Sequence, residues 1–123
     1  MQYLALIHTD EGAWEALSAA DRDAIVQRYV AFASEAREAG VMLGGGELEP
    51  THAATTVRVR NGDQLVTDGP YAEVKEALGG YFVLECRHIH EAVDWAARIP
   101  SAEHGAVEVR PMHVDSDAGG SGS

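Results

Sequence analysis

The chain has 123 residues, 46% hydrophobic and 24% charged, with 20 acidic side chains against nine basic ones and a formal charge of -11. Length and balance predict one globular domain that buries a core, and the acid excess argues against nucleic acid and anionic membranes, which need clustered Lys and Arg. The single cysteine, Cys86, excludes an internal disulfide and any Cys-based metal cluster.

The N-terminal MQYLALIHTD lacks a basic n-region, and its apolar run is too short for a secretory signal or a membrane span, so a cytoplasmic location is expected. Tyr3 to His8 reads as a strand buried on both faces. TDEGAWEAL reads as a loop or an irregular short helix. Ser18 to Asp21 matches a capping box with a short acid in place of Glu. Ile25, Tyr29, Phe32, Ala33 and Ala36 then recur at helical spacing, with Gly40 as the stop.

In VMLGGGELEPTHA a short strand at Val41 to Leu43 runs into three glycines. No helix pattern and no GK[ST] follow, so the run reads as a mobile turn and not as a phosphate cradle. TTVRVR-NG-DQLVTD is a hairpin around Asn61-Gly62, the pair favoured in two-residue type I′ turns. Its alternation puts Arg58 and Arg60 on one face, Val57 and Val59 on the other. GGYFVLEC is an apolar strand. Ile89, Ala92, Val93, Ala96 and Ile99 give a second amphipathic helix closed by Pro100, and AVEVRPM is the last strand. The tail, 115–123, reads as a flexible end or an appended remnant after a domain spanning 1–114.

This order predicts an α+β sandwich with helices on one face of a mostly antiparallel sheet. Alternation groups Tyr3, Ala5, Ile7, Tyr81 and Val83 on one side and Leu4, Leu6, Phe82 and Leu84 on the other. Both sides are apolar and two helices cover only one, so a homodimer is expected.

Several residues can carry chemistry. Asp68-Gly69-Pro70 follows a strand, where sites collect, yet the same three residues make a good turn. Lys75, the sole lysine, is either an anion-holding cation or one half of a surface ion pair. His8, at the end of the first strand, suits proton transfer near neutral pH if a carboxylate such as Asp68 orients it; a merely hydrogen-bonded strand-end imidazole is the other reading. His88 and His90 form a weak HxH pattern without a spaced third ligand, so no metal is expected. The candidate catalytic residues are thus His8 and Asp68, and the candidate ligand-binding residues are Arg58, Pro70, Tyr71, Lys75 and Tyr81.

VTDGPYAEVKEALGGYFVLE resembles the signature of the DGPF subgroup of the YCII-related proteins, with Tyr71 in the usual place of Phe. The likeness also covers MQYLALIHTDE, EAREAGVMLGGGEL, TTVRVRNG and EAVDWAARIPSAEHGAVEVRPM. It implies a ferredoxin-like βαββαβ fold pairing into a dimeric α/β barrel, with substrates held between sheet and helices as in muconolactone isomerase-like and antibiotic monooxygenase-like relatives. Some YCII-related proteins are dehydrochlorinases of chlorinated hydroxyquinols that use a His and an Asp as the acid/base pair. That His lies in the first helix, and DRDAIVQRYVAFASEAREAG contains none, so its role does not carry over. Asp68, Gly69, Pro70, Glu73, Lys75, Glu76, Gly79 and Gly80 do match the signature.

Two functions follow as expectations. One is a small-molecule lyase or isomerase that needs no metal or organic cofactor, with a dry cavity where His8 meets Asp68. The other is a non-catalytic ligand-sensing or regulatory module, for example of an extracytoplasmic-function sigma factor system. Members of the subgroup are encoded beside such factors, and an acidic surface suits a basic protein partner.

Overall fold

A computed structural model describes residues 1–113; the predicted tail, 115–123, lies outside the described residues. The elements run β1 (Gln2–Thr9), α1 (Glu11–Ala16), α2 (Ala19–Glu38), β2 (Met42–Glu47), β3 (Thr55–Arg60), β4 (Asp63–Asp68), β5 (Ala77–Glu85), α3 (Ile89–Ala96), α4 (Ser101–His104) and β6 (Ala106–Pro111). A four-stranded antiparallel sheet has the order β2-β5-β1-β6, and β3 and β4 form a separate two-stranded sheet. The α+β reading with antiparallel strands holds.

The helices begin where local chemistry caps them. Ser18 Oγ accepts from the Asp21 backbone N–H at 3.1 Å, which satisfies one orphan donor of α2. Asp10 does the same for α1 through the Ala13 N–H at 3.1 Å, so TDEGAWEAL is a short capped helix. His88 Nδ1 accepts from the Glu91 N–H at 3.3 Å and caps α3, which gives one His of the HxH pair a structural task. Pro100 does not close α3 directly: the helix ends at Ala96 and Pro100 starts the single turn of α4.

Phe32 and Ala36 of α2 and Ala92 and Ala96 of α3 pack with Tyr3, Ala5, Ile7, Leu84 and Ile99 into one core on one face of the sheet. Phe32 meets Phe82 at 5.2 Å with the rings tilted by 50°, and Trp95 edge-on at 6.2 Å, pairs worth about 0.5–1.5 kcal/mol each beyond area burial. Leu84 is fully buried, so truncating it to Ala costs roughly 2–5 kcal/mol. The predicted α3 stripe is only partly inside: Ala92, Ala96 and Ile99 are buried, while Ile89 and Val93 stay exposed.

The face assignment read from the strands is corrected by the register. Tyr3 lies opposite Leu84 and Ala5 opposite Phe82, so Leu84 and Phe82 join Tyr3, Ala5 and Ile7 under the helices. Leu4, Leu6, Tyr81 and Val83 take the outer face. A one-residue slip exchanges the faces of a strand, and two strands apolar on both sides carry no internal mark of which slip is right.

The glycine run is also corrected. Gly44, Gly45 and Gly46 lie in β2, paired with Val83, Phe82 and Tyr81. A Cβ on Gly45 would sit 2.7 Å from Phe82 Cδ1, and one on Gly46 would sit 3.2 Å from Tyr81 Cε1. The two glycines therefore give room to two aromatic rings, one on each face, and the strand survives their weak β-propensity because cross-strand rings fill the space.

Candidate functional site

Antiparallel partners share a face, so the register fixes the outer surface of the sheet. Across β5, β1 and β6 it presents three rows: Val83, Leu4 and Arg110; Tyr81, Leu6 and Glu108; Leu78, His8 and Ala106. No helix among the described residues covers these rows. Leu4, Leu6 and Val83 are half-buried, and Tyr81 and Leu78 are 37% and 40% exposed.

His8 Nε2 lies 3.1 Å from Glu108 Oε1, diagonally across β1 and β6. A carboxylate only accepts, so Nε2 carries a hydrogen in this contact and Nδ1 is the nitrogen left facing away from Glu108. The Tyr81 phenol stands on the other side of Leu6, its oxygen 3.3 Å from where a Gly46 Cβ would be. By strand spacing, Tyr81 and Glu108 are about 10 Å apart, two strands across. An imidazole and a carboxylate thus lie beside an apolar strip of Leu6 and Leu78, and the phenol lies over Gly46 of β2 on the same face.

The expected His8–Asp68 pair is not what forms. Asp68 ends β4, opposite Thr55 in the separate hairpin and exposed, and the carboxylate at His8 is Glu108's. The reason is topological: β6 lies beside β1 in the sheet, whereas β4 pairs only with β3. Glu108 was missed because it looks like one polar residue of an alternating strand. Its signal is that alternation, since Val107 and Val109 face the helices and so send Glu108 outward.

The remaining candidates gather elsewhere. The Arg58 guanidinium lies over the Tyr71 ring at 5.1 Å, and Tyr71 is 78% exposed. Pro70 lines a cleft of about 430 Å³ with Thr51, His52, Gly69, Glu73 and Val74. Glu11 holds one wall of that cleft by accepting from Thr51 N and Oγ1 at 2.9 and 2.6 Å. Lys75 is exposed and makes no ion pair among the described residues. Of the predicted residues, His8 and Tyr81 share the outer face without touching, and Arg58, Pro70 and Tyr71 belong to the hairpin and its loop. No cluster of three His, Cys, Asp or Glu among the described residues is placed to hold a metal ion. No helix among them is long and apolar enough to cross a membrane.

An uncharacterized protein of Rhizobium meliloti (strain 1021) is 35% identical over 114 residues, covering 91% of this chain and 92% of its own. Among solved structures, 5-chloro-2-hydroxyhydroquinone dehydrochlorinase from Burkholderia phenoliruptrix, in complex with 2,5-dihydroxybenzoquinone, superposes with a TM-score of 0.55. That likeness covers 95% of this chain and 98% of the other at 13% sequence identity, and it concerns the fold alone. The model of the YCII-related domain matches residues 1–114, and the chain belongs to that family.

Proposed function

We propose that this protein binds a small organic molecule on the outer face of its four-stranded sheet and moves a proton through His8, without a metal or organic cofactor. The carrying observation is the 3.1 Å His8–Glu108 pair on a sheet face built mainly from Leu4, Leu6, Leu78 and Val83, which no helix among the described residues covers. On this reading Glu108 holds the imidazole with Nε2–H bound, and Nδ1 takes a proton from a C–H or O–H acid seated over Leu6 and Leu78. The Tyr81 phenol hydrogen-bonds an oxygen across the ring. Arg110, exposed in the adjacent row, supplies a cation for an anionic substituent.

The strand order supports a ferredoxin-like βαββαβ core with the β3–β4 hairpin inserted. A second copy covers the outer face and completes a barrel-like cavity, where a lower dielectric strengthens the His8–Glu108 contact. The dehydrochlorinase neighbour holds a dihydroxybenzoquinone, which makes small phenolic and quinonoid rings the first ligands to try.

Thermal melting with 2,5-dihydroxybenzoquinone and a set of small phenols and carboxylates tests the reading. A ligand at a hundred times its Kd stabilises by about 2.7 kcal/mol, a rise of several degrees for a domain of this size. The rise should appear in the wild type and shrink in His8→Gln and Glu108→Gln. If no compound moves the melting point, or if both variants respond as the wild type does, the outer-face site is wrong. A non-catalytic sensing or regulatory role is the second reading, favoured by the charge of -11. It predicts the same melting shift with the ligand recovered unchanged.

A further inference from the structure

The β3–β4 hairpin stands apart from the rest of the molecule. Its strands pair only with each other, closed at the base by the Gly69 N–H on the Ala54 carbonyl at 2.7 Å and at the tip by Asn61 and Gly62 at φ 52° and 81°. Register puts Val57 opposite Val66 and Val59 opposite Gln64, so one face carries three valines, which are 55%, 58% and 60% exposed for Val57, Val66 and Val59. A two-stranded hairpin in water is marginal by itself, and such a valine strip is normally packed on something.

We infer that the hairpin is an arm that reaches the second copy and closes the His8 end of that copy's outer sheet face. This rests on the reading that a second copy covers the outer face. Charge selects the occupant. Two chains of net -11 repel, so contact is favoured where local charge is low. By register the valine face carries a single charge, Asp68 at the base, while Arg58, Arg60 and Asp63 lie on the opposite face. The three outer rows set one carboxylate, Glu108, against one guanidinium, Arg110. These two largely apolar surfaces, each of low net charge, belong to one chain, and no element among the described residues packs on them.

Position and length agree. The hairpin leaves the body where β2 ends and β5 begins, the end of the sheet that holds the Leu78, His8 and Ala106 row. Six residues per strand give an arm of about 20 Å, against about 15 Å across four strands. Seated on the partner, the valines would wall the cavity over His8, and the site of each copy would be incomplete without the other's arm.

The test uses two full-length chains in a Cys86→Ala background, one with Val59→Cys and one with Leu78→Cys, carrying tags of different size. After mixing and treatment with a short bismaleimide, a covalent heterodimer of the two is expected. Amide exchange across residues 56–67 should slow as protein concentration rises. A doubly substituted chain that gives only intrachain product would overturn the inference in favour of an arm closing its own site. A dimer that persists with no heterodimer product, and with arm exchange independent of concentration, would overturn it outright. A protein that stays monomeric by light scattering overturns both the arm and the second-copy cover. Melting shifts measured on the same samples report separately whether the ligand reading stands.

Discussion

Three consecutive glycines in β2 offer a sharp test of the strand geometry, because an added methyl meets a different neighbour at each. At Gly45 the new Cβ would lie 2.7 Å from the Tyr81 backbone carbonyl oxygen as well as 2.7 Å from the Phe82 ring. A backbone oxygen between two paired strands cannot step aside, so Gly45→Ala must push β2 away from β5 or displace Phe82 from Phe32. Overpacking of that kind costs about 1–3 kcal/mol, a fall of about 4–12 °C in melting temperature for a chain of this length. At Gly46 the clash is with the far end of the Tyr81 side chain, at 3.2–3.4 Å, which can swing. Gly46→Ala should cost well under about 1 kcal/mol yet turn Tyr81 and weaken ligand-induced stabilisation. At Gly44 nothing lies within 4 Å, so Gly44→Ala should gain up to about 1 kcal/mol from reduced unfolded-state entropy. Urea denaturation of the three variants beside the wild type reads the order directly. Equal responses at all three positions, as a mobile turn would give, would refute the paired-strand account.

Gly62→Ala strains the hairpin tip, where φ is 81°, by about 1 kcal/mol. Because β3 and β4 pair only with each other, amide exchange across residues 56–67 should quicken about fivefold while the global urea midpoint moves little. At α3, the Arg87 side chain and then its backbone N–H hold the Glu91 carboxyl below its ordinary 4.5. A depressed carboxyl stabilises above its unfolded pKa and loses that as pH falls through the folded one. Glu91→Gln should therefore melt lower than the wild type at pH 7, with the gap closing on acidification below about pH 4.5; a gap that widens in acid would contradict the sign. Cys86 is 3% exposed and burial pushes its thiol above 9.0, so iodoacetamide at pH 8 should label it only after unfolding. Rapid labelling of the native protein would show that this core edge opens.

Local signals were legible in the chain wherever the deciding atoms are neighbours in sequence. Ser18 caps α2, Asn61-Gly62 turns the hairpin, and the spacing of Phe32 and Ala36 marks the buried stripe, because each depends on backbone groups or faces within a few residues. The DGPY signature and its flanks pointed to the family for the same reason, as a matter of residues in order. The candidate site was not legible in that way. His8 could be picked out by type, but its partner could not: Glu108 lies 100 residues away and becomes a neighbour only because β6 takes the edge beside β1. Asp68, closer in the chain and better marked, is carried off on the hairpin.

The same division runs through the strands. Sequence by itself determined that β1 and β5 are apolar on both sides, that three glycines sit before a loop, and that the whole carries a large negative charge. Only the tertiary structure decided which apolar side meets the helices, that the glycines are room for Phe82 and Tyr81, and that His8 faces outward beside a carboxylate. Register and strand order are relations between distant segments, fixed by how the whole core packs, and no run of residues states them alone.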